Sequence, residues 1–308
     1  MRESNRRDFF RRAAAAAGAA VGASAGVFAP SLARAVEPLR REAEGKMKVK
    51  FTLAAYSYRN LLSGKPPEMT LADFVRDCAR FGCEGTEPTS YYFPDPVTNE
   101  YLCSLKALAF RLGLGMSSTA VRNNFCLPPG QKRDADIAHV KRWIDYAQVL
   151  GAPVIRIFSG AQAKGQSLEE ARRLVVEGIE ECSAYAGTKG VYLGLENHGG
   201  LTATADGHLA IVRAVKSPWF GAWMDTGNFH DADPYAELEQ IAPYTLHAQV
   251  KVVTREKGKE PQPMDFCRVR KILEGIGYRG WICLEYEEKQ DPRQACPRYL
   301  DRLREAFA

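Results

Sequence analysis

GLENHGG, residues 194–200, closes an apolar run with an acid, an amide and an imidazole before two glycines. Alternation across VYLGLEN (191–197) predicts a strand on which Gly194, Glu196 and His198 share one face. Polar side chains at the end of a buried strand are costly unless something uses them. The same arrangement recurs downstream. WFGAWMD (219–225) ends in Asp225 with Trp223 on the same face, TLHAQVKV (245–252) offers His247, Gln249 and Lys251, and GWICLEYE (280–287) offers Cys283, Glu285 and Glu287. Upstream, FTLAAYSY (51–58), CEGTEPTS (83–90), LGMSSTA (114–120) and PVIRIFS (153–159) also read as strands, with Glu87 near the end of the second and Arg156 in the fourth.

Amphipathic helical patterns fill the gaps, at 71–82, 102–113, 136–151, 167–190, 208–216, 234–242, 265–277 and 291–307. Several end in glycine, as helix C-termini do. Eight strand signals alternating with helices over residues 49–308 predict an α/β fold, a single-domain (β/α)8 TIM barrel. An open doubly wound sheet is the competitor, but no G-x-G-x-x-G follows the first strand. Parallel barrels carry their chemistry at the C-terminal strand ends, where this sequence gathers its unusual polar residues.

The 308 residues are 45% hydrophobic and 26% charged, an ordinary globular balance, and no apolar run is long enough for a permanent membrane span. Residues 1–35 stand apart. SNRRDFFRR (4–12) leads into the weakly apolar AAAAAGAAVGASAGVFAP (13–30) and then LARA (32–35), the order of a signal peptide. Its core from Arg6 to Phe10 resembles a twin-arginine export signal, which implies an exported, periplasmic protein; an Ala-rich N-terminal helix is the alternative. Residues 36–48 read as a linker. The leader holds six arginines against Glu3 and Asp8, so it carries most of the formal charge of +5 and leaves no basic surface suited to nucleic acid. The eight cysteines form no Cys-x-x-Cys pair and read as small buried hydrophobes. A protein folded in a reducing compartment before export needs no disulfide framework.

Three carboxylates converging on one mouth repel and raise one another's pKa unless a cation neutralises them. Oxygen-rich donor sets suit Mg2+ or Mn2+, and Zn2+ or Co2+ where an imidazole joins. Glu196, Asp225 and Glu285, with an amide or imidazole from the seventh strand, thus read as one divalent-metal site. The competing reading pairs each acid with a Lys or Arg at the rim.

GLENHGG, WMDTGNF (223–229), HAQVK (247–251) and ICLEYE (282–287), in this order and spacing, resemble the sugar phosphate isomerase/epimerase superfamily, whose barrel is like that of xylose isomerase. TEPTSYYFP (86–94) and IRIFSG (155–160) extend the resemblance over essentially all of 49–308. It implies that Glu196, Asp225 and Glu285 bind the metal. The usual strand-seven motif is His-x-His-x-Lys, so Gln249 falls where the ligand His is expected, with His247 one layer lower as the alternative. An amide oxygen is a harder donor and favours Mn2+ or Mg2+. Asn228 stands where sugar epimerases of this group often carry His, a departure in the substrate pocket.

The resemblance further implies that Glu196 and Glu285 move a proton at a carbon next to a sugar carbonyl, through an enediolate. His198 and Lys251 are then candidates to position or polarise substrate oxygens, or else make a supporting hydrogen bond and a rim salt bridge. Glu87 and Arg156 contact hydroxyls or form a structural pair, and His247 joins the substrate-binding candidates. Tyr56, Tyr58, Tyr91, Tyr92, Phe93 and Phe125 wall a sugar site or pack the barrel rim. The same site suits elimination or hydrolysis of a 3-keto-glycoside. A non-catalytic sugar-binding barrel is the non-enzymatic reading. The expected partner is a small sugar. An abasic-site DNA endonuclease on a related barrel is disfavoured by the sparse histidines and near-neutral charge beyond the leader. Replacing both Arg6 and Arg7 by Lys is expected to block export, read by cell fractionation, with the exported form beginning near Val36. Export that persists in the double variant removes the twin-arginine assignment.

Overall fold

The computed structural model describes residues 36–39 and 47–308; the leader and most of the linker lie outside the described residues. Strands and helices alternate in the order β1 (Lys48–Ala54), α1 (Arg59–Leu62), α2 (Leu71–Arg80), β2 (Gly85–Glu87), α3 (Asn99–Arg111), β3 (Gly115–Met116), β4 (Thr119–Ala120), α4 (Gln131–Leu150), β5 (Val154–Ile157), α5 (Leu168–Lys189) and β6 (Tyr192–Glu196). Then come α6 (Ala205–Val212), β7 (Phe220–Asp225), α7 (Pro234–Ile241), β8 (Thr245–Lys251), β9 (Val253–Thr254), β10 (Gln262–Pro263), α8 (Phe266–Gly275), β11 (Arg279–Glu285) and α9 (Pro292–Phe307).

Nine parallel strands form one sheet in the order β3-β2-β1-β11-β8-β7-β6-β5-β4. Its two end strands are the halves of a single stretch, so the sheet all but closes into the expected barrel. The sequence predicts one strand over 114–120; the structure splits it, and the serines between the halves give the reason. The Ser117 amide donates to the Thr86 carbonyl at 3.0 Å. Its hydroxyl donates to the same oxygen at 3.1 Å, and beyond it Val121 N donates to Arg156 O at 3.1 Å, on the other side. One segment thereby serves both neighbours and leaves few strand groups unpaired.

Local chemistry sets the helix ends. Thr70, Thr98, Ser167, Thr204, Asp233, Asp265 and Asp291 each accept a backbone N–H at the start of a helix. Helices α4 and α5 end on Gly151 and Gly190 in the left-handed conformation, at φ +82° and +68°. Helix α4 begins five residues before its expected start, because the polar first turn from Gln131 carries no apolar periodicity. The hairpin β9–β10 and the short α1 follow no sequence signal. All eight cysteines are free. Among the described residues no helix is long and apolar enough to cross a membrane.

One large ring packs against the first residues of β2 and β3, Gly85 and Gly115. A Cβ on Gly85 would sit 2.6 Å from the Trp281 ring and 3.0 Å from Gly115 O. The absent side chain lets β2 pack against Trp281 from β11. Gly85→Ala is expected to destabilise the protein by about 1–3 kcal/mol, through overpacking against a ring and a backbone that cannot both yield. Chemical denaturation checks this, and an unchanged midpoint would show that the ring moves freely.

Candidate active site

The strand ends open into a cavity of about 250 Å3 whose lining includes Glu87, Arg156, Glu196, His198, Asn228, Gln249, Lys251, Glu285 and Glu287. Asp225 lies just behind this lining, fully buried. His247 lies one layer lower, 1% exposed. Strand alternation delivers these side chains inward, and the parallel register sets them level: Asp225 pairs with Gln249, and Lys251 with Glu285.

Lys251 is the hub. Its ammonium lies 3.4 Å from Asp225 Oδ2, 3.1 Å from Glu285 Oε1 and 3.0 Å from Glu287 Oε2. The side chain runs over Gly227, where a Cβ would fall 2.5 Å from Lys251 Cγ. Arg156 is the second buried cation. Its Nε stands 3.2 Å from Glu196 Oε2, its Nη2 donates to Tyr91 Oη at 3.1 Å, and its plane lies 3.9 Å over the Phe158 ring. The ion-pair partner of Arg156 is thus Glu196 rather than Glu87, the pairing the sequence had left open. Lys251, expected at the rim, is buried.

Burial is the largest influence on every acid here. It pushes Glu196 up to about 7, with Glu285 adding to the rise and Arg156 opposing it. Asp225 rises to about 7 and Glu285 to about 8, in each case by desolvation against the pull of Lys251. Desolvation also raises Glu87. Glu287 is held below its ordinary value, because Lys251, Arg59 and Arg255 outweigh its partial burial.

The opening question about Glu-Asn-His has three answers. Glu196 faces the cavity, with its Oε1 accepting from Asn228 Nδ2 at 3.2 Å. Asn197 is a structural clasp: its Nδ2 donates to Asp225 O at 2.9 Å and its Oδ1 accepts from Asp225 N at 2.8 Å, joining the ends of β6 and β7. His198 is exposed at the rim, its ring 4.6 Å from Phe158 and its amide donating to Thr202 Oγ1 at 2.9 Å. Gln249 Oε1 accepts from the indole of Trp223 at 2.8 Å, and the same indole stacks on His247 at 4.0 Å. No periodicity could have shown that contact, although alternation had already placed Trp223 on the inward face with Asp225.

Beneath the mouth, Glu87, His247 and Cys283 are the set of three metal-type donors that lies within 4.8 Å among the described residues, a possible metal-holding group. Glu87 Oε2 accepts from Ser118 Oγ at 2.6 Å and from Cys283 Sγ at 3.5 Å. Desolvation lowers the His247 pKa to about 3, so its ring is neutral. Of the expected aromatic wall, Tyr56 and Tyr91 line the cavity, whereas Tyr58 and Phe125 are fully buried in the core. Phe93 packs on Trp143 at 5.1 Å, away from the mouth.

Glu196, Asp225 and Glu285, the ligands expected for a divalent cation, do not form a donor set within 4.8 Å of one another; each instead stands beside a cation of the chain, Arg156 or Lys251. Four buried carboxyls, Glu87, Glu196, Asp225 and Glu285, face two buried cations, Arg156 and Lys251. Glu196 Oε2 and Asp225 Oδ2 are buried and accept no hydrogen bond among the described residues. Oxygen donors with a deficit of positive charge suit a hard cation.

The chain belongs to the xylose isomerase-like TIM barrel family, whose model matches residues 75–306. It is 26% identical over 293 residues to an inosose dehydratase of Erwinia tasmaniensis, an alignment covering 82% of this chain and 94% of that protein. In structure it is similar to D-psicose 3-epimerase of Clostridium cellulolyticum H10, solved with D-tagatose. The TM-score is 0.70 at 15% identity, over 84% of this chain and 99% of the other. It is also similar to a 3-keto-D-glucoside 4-epimerase of E. coli, with a TM-score of 0.63 at 15% identity, over 84% of this chain and 100% of the other.

The raised acids carry a pH signature in metal-free protein. Glu196, Asp225 and Glu285 hold protons in the folded chain that the unfolded chain has released, over the window from their ordinary values of 4.5, 3.8 and 4.5 up to about 7–8. Their contribution to stability therefore falls as pH rises through that window. The metal-free protein is expected to melt higher at pH 5.5 than at pH 8, with a shallower slope in Glu285→Gln, as measured by calorimetry. A slope that the substitution leaves unchanged would assign the effect to other groups.

Proposed function

We propose that the protein is a sugar-processing enzyme of isomerase, epimerase or lyase type, acting as a divalent-metal-dependent sugar isomerase or epimerase. One observation carries this reading: Glu196 and Glu285, three strand positions apart around the barrel, open into one small cavity with pKa values pushed to about 7 and 8. Carboxyls poised near neutrality take up and return protons at working pH.

Glu196, Asp225 and Glu285, with the oxygen of Gln249, would hold the metal, Mn2+ or Mg2+ by donor hardness and Zn2+ or Co2+ as alternatives. Such an ion would supply Lewis acidity toward a hydroxy-carbonyl sugar and offset the negative charge that develops when a carbon proton leaves. The chain's own residues do the rest. One glutamate takes the proton from the carbon beside the carbonyl, and the other returns a proton to complete epimerisation or isomerisation. Arg156 keeps Glu196 aimed through its Nε, Asn228 orients the other oxygen of that carboxyl, and Lys251 offsets the charge of Asp225 and Glu285. Tyr56, Tyr91 and Phe158 narrow the cavity and limit water at the reacting carbon.

The relative named inosose dehydratase supports a second reading, elimination or hydrolysis on a keto-sugar or 3-keto-glycoside. The first step is the same removal of a proton beside a carbonyl. Export to the periplasm remains part of this proposal and rests on residues 4–35 alone.

Exchange of a substrate carbon proton with deuterated water, across keto-sugars and 3-keto-glycosides, tests the reading. Wild-type protein loaded with Mn2+ is expected to exchange. Glu196→Gln is expected to lose about 10²–10⁴ in rate, while calorimetry shows Mn2+ still bound, since an amide oxygen remains to coordinate. Full exchange in the variant would leave Glu196 without a proton-transfer role. No exchange by wild type on any sugar would turn the assignment to a sugar-binding barrel.

A further inference from the structure

A second cleft, of about 730 Å3, opens beside the mouth. Tyr91 and Arg122 line both spaces, so the two share a boundary rather than lying on separate faces. The Arg122 guanidinium lies 5.0 Å over the Tyr91 ring, and Tyr91 in turn accepts from Arg156 inside the mouth. One wall of the cleft is the chain after β2, with Phe93 and Asp95. The other is α4, where His139 and Trp143 stand four residues apart on one face.

The two volumes point to the size of the substrate. The mouth, at 250 Å3, falls below the roughly 300–1,000 Å3 of pockets that hold drug-sized ligands. It has room for one sugar ring. The adjoining cleft is larger and combines aromatic surface, the half-buried Tyr91 and Phe93 (the latter backed by the buried Trp143 at 5.1 Å), with the carboxylate of Asp95, the imidazole of His139 and the guanidinium of Arg122. Aromatic surface packs on the C–H face of a pyranose, and the polar groups bond its hydroxyls. Of the three polar side chains used in this argument, Asp95 and His139 do not line the mouth, whereas Arg122 lines both spaces.

We propose that this cleft is a subsite for the second ring of a glycoside whose first ring reacts in the mouth, so that the substrate is a disaccharide-sized keto-glycoside rather than a free monosaccharide. The assignment of the reacting ring rests on the proposed function; the subsite rests on the shared boundary. Binding energy gathered by the second ring, remote from the reacting carbon, holds the first ring against Glu196 and Glu285.

The experiment compares proton exchange by Mn2+-loaded protein on 3-keto-glucose and 3-keto-cellobiose, together with saturation-transfer NMR on the same two sugars. Wild type is expected to favour the disaccharide by roughly tenfold or more in kcat/KM, with saturation reaching both rings. His139→Ala, and separately Val97→Trp, which fills the cleft, are expected to abolish that preference. Exchange on the monosaccharide stays unchanged in both, which also shows that they fold. Equal use of the two sugars by wild type, or equal losses on both in the variants, overturns the subsite. If wild type exchanges neither sugar, the catalytic reading fails and the NMR decides the subsite alone. Saturation on both rings, lost in Val97→Trp, supports it; saturation of one ring only, or no binding, overturns it.

Discussion

Lys251 is the group on which the mouth depends. Four carboxyls, Glu87, Glu196, Asp225 and Glu285, are each 5% exposed or less, and burying charges of one sign together costs several kcal/mol per ion. The ammonium of Lys251 touches two of them and Glu287 as well, and Arg156 covers a third. Both cations are themselves buried, and the surrounding acids hold them protonated. Removing either would leave carboxyls desolvated and unpaired, which protein interiors tolerate poorly. Much of the surrounding structure holds these two side chains in place. Gly227 clears the path of Lys251, the Lys251 amide donates to Thr226 Oγ1 at 3.0 Å, and Phe158 gives the Arg156 plane a surface.

The backbone around the mouth is fixed with comparable care. At the ends of β6 and β7 the side chain of Asn197 makes the two hydrogen bonds that a further ladder residue would supply. Being an amide, it offers a donor and an acceptor on one group, which neither Asp nor Leu could do. Asp225 is thus aimed by its own main chain, and Gly227 N donates to its Oδ1 at 2.8 Å, leaving Oδ2 as the oxygen that faces Lys251. Half of this carboxylate is satisfied structurally and half is available. That division suits a group meant to compensate a cation without losing its orientation.

The barrel was legible because its signals are local. Alternation in VYLGLEN and TLHAQVKV, glycines at 151 and 190, and capping Thr, Ser and Asp residues all act within a turn or a strand. The break between β3 and β4 was not, since Ser117 ends the pairing through hydroxyl contacts with a strand that is distant in sequence. Strand-end acids could be placed on one rim because side chains two apart share a face. Which cation met which acid could not be read, because Arg156 and Glu196 are forty residues apart and meet only through the β5–β6 register. The aromatic cluster divides between the two readings left open for it, with Tyr56 and Tyr91 lining the cavity. Tyr58, in the 3-10 turn after β1, and Phe125, in a loop, carry the composition of a binding wall but turn into the core.

Gln249 gains its meaning from Trp223. A histidine at this place would present an imidazole nitrogen with a single lone pair, so a nitrogen engaged by an indole N–H has none left for a cation. An amide oxygen carries two lone pairs and can accept from Trp223 while keeping the second. The 2.8 Å contact from Trp223 Nε1 fixes the rotation of the carboxamide, and the stacking of that indole on His247 at 4.0 Å fixes the indole in turn. Desolvation keeps His247 neutral. The neutral ring can stack without adding a third positive charge beneath Lys251 and Arg156, so the layer below the mouth orients Gln249 without altering the charge balance above it.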